Sequence, residues 1–288
     1  MRDFVLAITT ILVLLAQTPA TNFDYDSKLP LDVKETARRE EQGARLRDIT
    51  YATLTGGTNA ATLITPRTTP TAPAPAVLFV HWYGPPAPTS NRTQFIPDAI
   101  ALAQHGVTSL LIDTPWSVPT YFQTRTRAED YTRSVQQVRD LRRALDVLAA
   151  QPGIDRTRFA YVGHDFGAMY GTIAAAVDPR VTRFVFMAGT ASFSDWFLYG
   201  PKLEGEARDR FIAELAPLDP VKWVPKLRGP LLMQFADNDE HVSTARREQL
   251  AAAAPKGADV RVYKAGHELN ESATTERLAW LRKTLALK

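Results

Sequence analysis

The chain has 288 residues, 45% of them hydrophobic and 23% charged, with 34 Lys plus Arg against 31 Asp plus Glu. That profile belongs to a folded globular protein, and the length suits one α/β domain with a full core better than two small ones. The formal charge of +3 is spread without a basic block, so nucleic-acid binding has no support, and the absence of Cys excludes disulfides, thiol nucleophiles and thiolate metal sites. The five histidines show no H-E-x-x-H spacing, so no metal or other cofactor is expected.

Residues 1–20 read as a secretory leader: Arg2, an apolar run from Phe4 to Ala16, then Thr18-Pro19-Ala20 as a small-x-small cleavage site. The run is short for a membrane span, an uncleaved anchor being the competing reading, and the mature protein is expected to be secreted or periplasmic. Residues 21–46 form a polar N-terminal extension, expected to be a surface helix. Arg47–Thr55 and Asn59–Thr65 read as strands of a hairpin around Gly56-Gly57, and the prolines of Arg67–Pro75 forbid regular structure.

From Ala76 the pattern alternates. Ala76–Val80, Val107–Ile112, Phe159–Val162, Phe184–Met187, Leu231–Phe235 and Val260–Tyr263 are apolar runs of strand length. Between them lie helical stretches near Gln94–His105, 131–151, Ala168–Val177 and Ser243–Ala254, with Ala273–Leu287 closing the chain. The expected fold class is α/β, a mostly parallel central sheet flanked by helices, occupying residues 47–288 with a short cap at about 190–229. Reactive groups of such sheets sit on loops at the carboxyl ends of strands.

Three of those loops carry chemistry. Gly163-His164-Asp165-Phe166-Gly167 joins a buried strand to a helix through a turn tight enough to need both glycines, which thrusts Asp165 above the sheet. A helix N-cap would also favour Asp there. Leu231–Phe235 leads to Asp237-Asn238-Asp239, and Val260–Tyr263 leads to Gly266-His267. Nucleophile candidate, acid and histidine thus follow separate strands in the order used by α/β-hydrolases.

These three motifs resemble the α/β-hydrolase fold superfamily, and the G-H-D-F-G elbow resembles its aspartate-nucleophile subset, the epoxide hydrolases and haloalkane dehalogenases. The resemblance implies Asp165 as nucleophile, Asp239 as triad acid with Asp237 as alternative, and His267 as the base. It implies oxyanion-hole N–H groups at Phe166 and at Trp82 or Tyr83, in His81-Trp82-Tyr83-Gly84, where Trp82 replaces the family's usual Gly. Tyr199, Trp196 and His164 are the substrate-pocket candidates, although packing alone would account for the cap aromatics. His81, His105 and His241, and His164 too in its blander reading, are structural or solvated.

An aspartate nucleophile suits attack on an sp³ carbon, giving an alkyl-enzyme ester that His267 and Asp239 hydrolyse. The expected function is therefore opening an epoxide or carbon–halogen bond of a small apolar substrate. Two departures stand against it: Phe166 occupies the place of the dehalogenases' halide-binding Trp, and the short cap resembles dienelactone hydrolases. A carboxylester or dienelactone-type hydrolase is the first alternative, and a non-catalytic binding protein on the same scaffold the second. The expected partner is a small-molecule substrate, with no nucleic acid and no membrane once the leader is removed. The oligomeric state is open.

Overall fold

The computed structural model describes residues 22–68, 72–85, 87–199 and 202–287, so the leader lies outside the described residues. One nine-stranded sheet organises them: β1 (Lys34–Glu41), β2 (Ala44–Ala52), β3 (Thr58–Pro66), β4 (Ala74–Val80), β5 (Thr108–Ile112), β6 (Ile154–His164), β7 (Val181–Met187), β8 (Leu231–Ala236) and β9 (Asp259–Tyr263). The spatial order is β1-β2-β3-β5-β4-β6-β7-β8-β9. Strands β1, β2 and β3 pair antiparallel and β3 meets β5 antiparallel, while the β5-to-β9 half is parallel throughout.

The parallel strands are continuous apolar runs because both faces are covered. Alternate residues feed two cores. Ala76, Leu78 and Val80 of β4 and Phe159 and Tyr161 of β6 pack with α3 (Asp130–Ala149) and α4 (Phe166–Val177). Val77, Phe79, Ala160 and Val162 face the opposite layer, α1 (Ile96–Ala103) and α9 (Glu271–Thr284). Helix α8 (Thr244–Ala252) lies between β8 and β9 in the chain. No helix among the described residues is long and apolar enough to cross a membrane.

Two expectations are corrected. The stretch expected to be a surface helix contains β1, an edge strand with every residue exposed. Its charges pair within the strand and across to β2, as Arg38 with Glu35 and Arg39 with Asp48, which stabilises an edge no apolar residue could. The sheet therefore begins inside the segment read as an extension. The cap at about 190–229, where the sequence pattern marks no helix, is helical: α5 (Phe193–Phe197), α6 (Gly205–Leu215) and α7 (Pro220–Trp223). A further short helix, α2 (Tyr121–Thr124), lies in the loop after β5.

Candidate active site

The elbow between β6 and α4 is as tight as its glycines demand. A Cβ on Gly163 would overlap the Gly167 carbonyl, and one on Gly167 would overlap the carbonyl of Val80. Asp165 takes φ 55° and ψ −116°, outside the regions open to ordinary residues, a strain of about 1–3 kcal/mol that the surrounding strands must hold. Its N–H donates to the Met187 carbonyl at the end of β7 (2.9 Å).

The carboxylate so placed is fully buried and held asymmetrically. Oδ2 accepts the Tyr83 N–H at 2.9 Å, and the Phe166 N–H favours the carboxylate charge from the next residue. Oδ1 is buried without a partner. Burial lifts the Asp165 pKa to about 7, against the pull of the His267 charge and the two N–H groups.

His267 completes the arrangement from the loop after β9. Its Nδ1 lies 3.0 Å from both carboxylate oxygens of Asp239, its Nε2 is buried without a partner, and its own N–H donates to Glu240 (3.2 Å). Asp239 is itself fastened by the N–H groups of His241 and Val242, each at 2.9 Å. Burial works against the charge on both partners. On Asp239 the His267 contact and the backbone N–H groups prevail and the pKa falls; on His267 the Asp239 bond and the Asp165 charge prevail and the pKa rises. Asp237, the alternative acid, is exposed and bonds instead to the Ala265 N–H (3.2 Å). The structure therefore brings Asp165, Asp239 and His267 together.

Other candidates are placed differently. The Trp82 N–H donates to Gln94 Oε1 (3.0 Å), so Tyr83, not Trp82, presents its backbone N–H to Asp165. Trp82 contributes its indole instead, its ring centroid 6.2 Å from that of His267. His164 is a buried packing residue, with both ring nitrogens bonded. Tyr199 is 59% exposed, with its hydroxyl on His241 Nδ1 (3.0 Å) and its ring 6.3 Å from Trp196, so it stands at the rim of the site. Trp196 does reach the site, 5.5 Å from the His267 ring and 5.8 Å from Phe166. His81 fixes its loop: Nδ1 donates to the Trp82 carbonyl, Nε2 accepts from Thr114 and Ser117, and burial drops its pKa to about 4.

Beside Trp196, residues with no site role legible in the sequence close the site. Tyr121 and Phe122 of α2 and Trp196 and Phe197 of α5 pack around the Phe166 ring at 5.7–6.2 Å. Arg125 ties the two helices. It pairs with Asp130, donates to the Phe197 carbonyl (2.6 Å), and lies 5.1 Å from the Phe122 and Phe197 rings. No periodicity signals such a residue. His241 stands at right angles to His267, 4.9 Å away, and its place in the acid turn was the available clue.

Two clefts approach this aromatic wall. One of about 490 Å³ is lined by Ser194, Asp195, His241 and Arg246, the other, of about 610 Å³, by Trp116, Tyr121, Arg125 and Tyr170. Neither is lined by Asp165, Asp239 or His267.

Sheet order, elbow and strand-end loops together define the α/β-hydrolase fold. Among solved structures, the chain is similar to an acetyl xylan esterase from a Paenibacillus species, with a TM-score of 0.73 at 16% identity over 88% of this chain and 89% of that one. It is also similar to acetyl xylan esterase 1 from a Thermoanaerobacterium species (TM-score 0.70, 17% identity, 88% of each chain). A Klebsiella pneumoniae structure described as a dienelactone hydrolase matches at TM-score 0.59 and 18% identity, over 80% of this chain and 94% of its own. No protein-family model and no curated protein matches the sequence. At these identities the likeness is one of fold.

Proposed function

We propose that the protein is a hydrolase of small substrates in which Asp165 attacks, the Asp239–His267 pair activates water, and the Tyr83 and Phe166 N–H groups hold the oxyanion. The observation that carries this reading is the asymmetric carboxylate: Oδ2 is bound by Tyr83 at 2.9 Å while Oδ1 is buried and bare. One oxygen is spent on orientation and the other keeps its lone pairs for attack.

On an sp³ carbon, Oδ1 forms a C–O bond as the leaving group departs with its electron pair. Water, losing a proton to His267 Nε2, then adds to the Asp165 ester carbonyl. Charge develops on Oδ2 against the Tyr83 N–H that already binds it, a donor worth on the order of 3 kcal/mol. Collapse breaks the bond between the Asp165 carboxyl carbon and the alkyl oxygen, and the proton held on His267 passes to that departing oxygen to give the alcohol. Asp165 then loses the remaining water-derived proton to return to carboxylate. Trp82 Nε1 and Trp196 Nε1 are buried donors without partners, suited to a departing halide. An opening epoxide needs a proton instead, and the hydroxyls of Tyr83 and Tyr199 are engaged, Tyr83 donating to the Pro119 carbonyl and Tyr199 bonded to His241 Nδ1. These observations support a carbon–halogen bond over an epoxide.

The likeness to acetyl xylan esterases and to a dienelactone hydrolase supports a second reading, a carboxylester or dienelactone-type hydrolase, and not the first. There Asp165 would add to the acyl carbon and pass through a mixed anhydride, a harder route for a carboxylate than for a hydroxyl. Intact-mass measurement of His267→Gln after incubation with haloalkanes and epoxides separates the two. An alkyl adduct on a peptide containing Asp165 is the expected result. No adduct, with wild-type protein cleaving activated esters, would establish the acyl reading; silence in both assays would leave the scaffold a binding protein.

A further inference from the structure

Three loops meet around His164, and their hydrogen bonds run in one direction only. The Trp82 N–H needs an acceptor, and Gln94 Oε1 supplies it at 3.0 Å. That choice turns the other end of the amide, Nε2–H, toward His164 Nδ1 at 2.6 Å. An amide N–H₂ cannot accept, so Nδ1 must be the bare nitrogen and the imidazole proton must sit on Nε2. Nε2–H in turn donates to the His267 carbonyl at 3.0 Å. A backbone N–H of the loop after β4 thus dictates, through two side chains, the bond made to the backbone of the loop after β9.

We infer that Gln94 and His164 are positioning residues for the reaction proposed above, a neutral hydrogen-bond relay that sets His267 in register with Tyr83 and Asp165. Three contacts support the role. The His164 ring stacks on Trp82 at 5.3 Å with planes 3° apart, and on His267 at 5.4 Å. Gln94 also removes the Trp82 N–H from the site, leaving Tyr83 as the donor from its loop that meets Asp165. His164 directly precedes Asp165, so the relay is anchored on the elbow itself. A second proton on His164 would put N–H against N–H at Gln94, so the relay works only while that ring is neutral. Burial is the largest influence keeping it neutral; the His267 charge and Arg277 of α9 act the same way, while the His267 carbonyl and Asp239 act against them.

The inference rests on the proposed function only for its catalytic consequence, and nitrogen-detected NMR of the histidine rings, which needs no substrate, tests it separately. In wild-type protein His164 is expected as the Nε2–H tautomer, unchanged from about pH 5 to 9, while His267 titrates. Gln94→Glu keeps the shape but replaces the donor with a carboxylate, so His164 should take up a second proton and the His267 transition should move down by about one pH unit. Gln94→Leu should mix the His164 tautomers, shift the His267 ring signals, and cost about tenfold or more in kcat with KM little changed. Finding His164 charged or as the Nδ1–H tautomer in wild-type protein would overturn the relay. So would a His267 that titrates identically in both variants. A normal NMR result with no turnover on any substrate would sink the proposed function and leave the relay intact.

Discussion

The floor and the roof of the site are built on opposite principles. The floor consists of strand-end loops locked by hydrogen bonds: Asp239 by two backbone N–H groups, His81 by three partners, Asp165 by Tyr83 and Met187. The roof is a set of aromatic rings on the short helices α2 and α5, joined through the Arg125 clamp. Hydrogen bonds fix direction and so suit groups that must be aimed, whereas ring packing excludes water with little directional cost. A floor of this kind should resist change in geometry, and a roof of this kind should be the part that parts to admit substrate past a fully buried Asp165.

Substitution at Asp165 should break the comparison most strongly. Asp165→Asn is expected to lower turnover at least about 10⁴-fold, since the bare oxygen no longer carries a nucleophilic charge. The same change should stabilise the fold at alkaline pH. Unfolded, this carboxyl loses its proton near 3.8; folded, it keeps it to about 7. Between those values the native state binds more protons, so this group's contribution to stability falls as pH rises and the whole cost is present above about 7. Thermal unfolding should therefore show Asp165→Asn ahead of wild type by on the order of 4 kcal/mol at about pH 8, with the gap shrinking toward about pH 4. An equal gap at both ends would contradict the burial argument.

Arg125→Ala tests the roof. It leaves Asp130 buried without its partner, and urea unfolding should show a loss of about 3 kcal/mol or more. Acrylamide should then quench tryptophan fluorescence more strongly, because α5, which carries Trp196, loses its tie to α2 at the Phe197 carbonyl, and removing Asp130 as well should recover much of the stability. If quenching stays at the wild-type level, the clamp does not seal the site.

The pH–rate profile sharpens the floor. Attack needs Asp165 ionised and water activation needs His267 neutral, so kcat/KM should rise about tenfold per pH unit up to an apparent value near 7 set by the pair. An acid limb ending near the ordinary carboxylate range would show that the buried Asp165 charge does not limit the reaction. The smallest effect is expected from Tyr199→Phe, an exposed position that meets His267 only through His241, with stability within about 0.5 kcal/mol and turnover within about twofold.

Much of the floor was legible in the sequence, for reasons that are local. The two elbow glycines announce a backbone approach no Cβ allows, and the apolar runs from Ala76 to Tyr263 announce strands covered on both faces or ending a core sheet. The roof was not legible. Arg125 is one basic residue among many until Asp130, Phe122 and Phe197 surround it. Nor was β1: Lys34–Glu41 carries charges spaced as well for a helix as for a strand, and only pairing with β2 decides.

By itself, then, the sequence determined the strand and helix alternation and the order of Asp165, Asp239 and His267, because periodicity and backbone sterics act within a few residues. Tertiary structure alone decided that Asp239 and not Asp237 meets His267, that Tyr83 and not Trp82 faces the carboxylate, and which oxygen of Asp165 stays bare. Each of those outcomes depends on a hydrogen-bond partner brought in from a distant strand end, and a partner's direction is set only once the sheet has assembled.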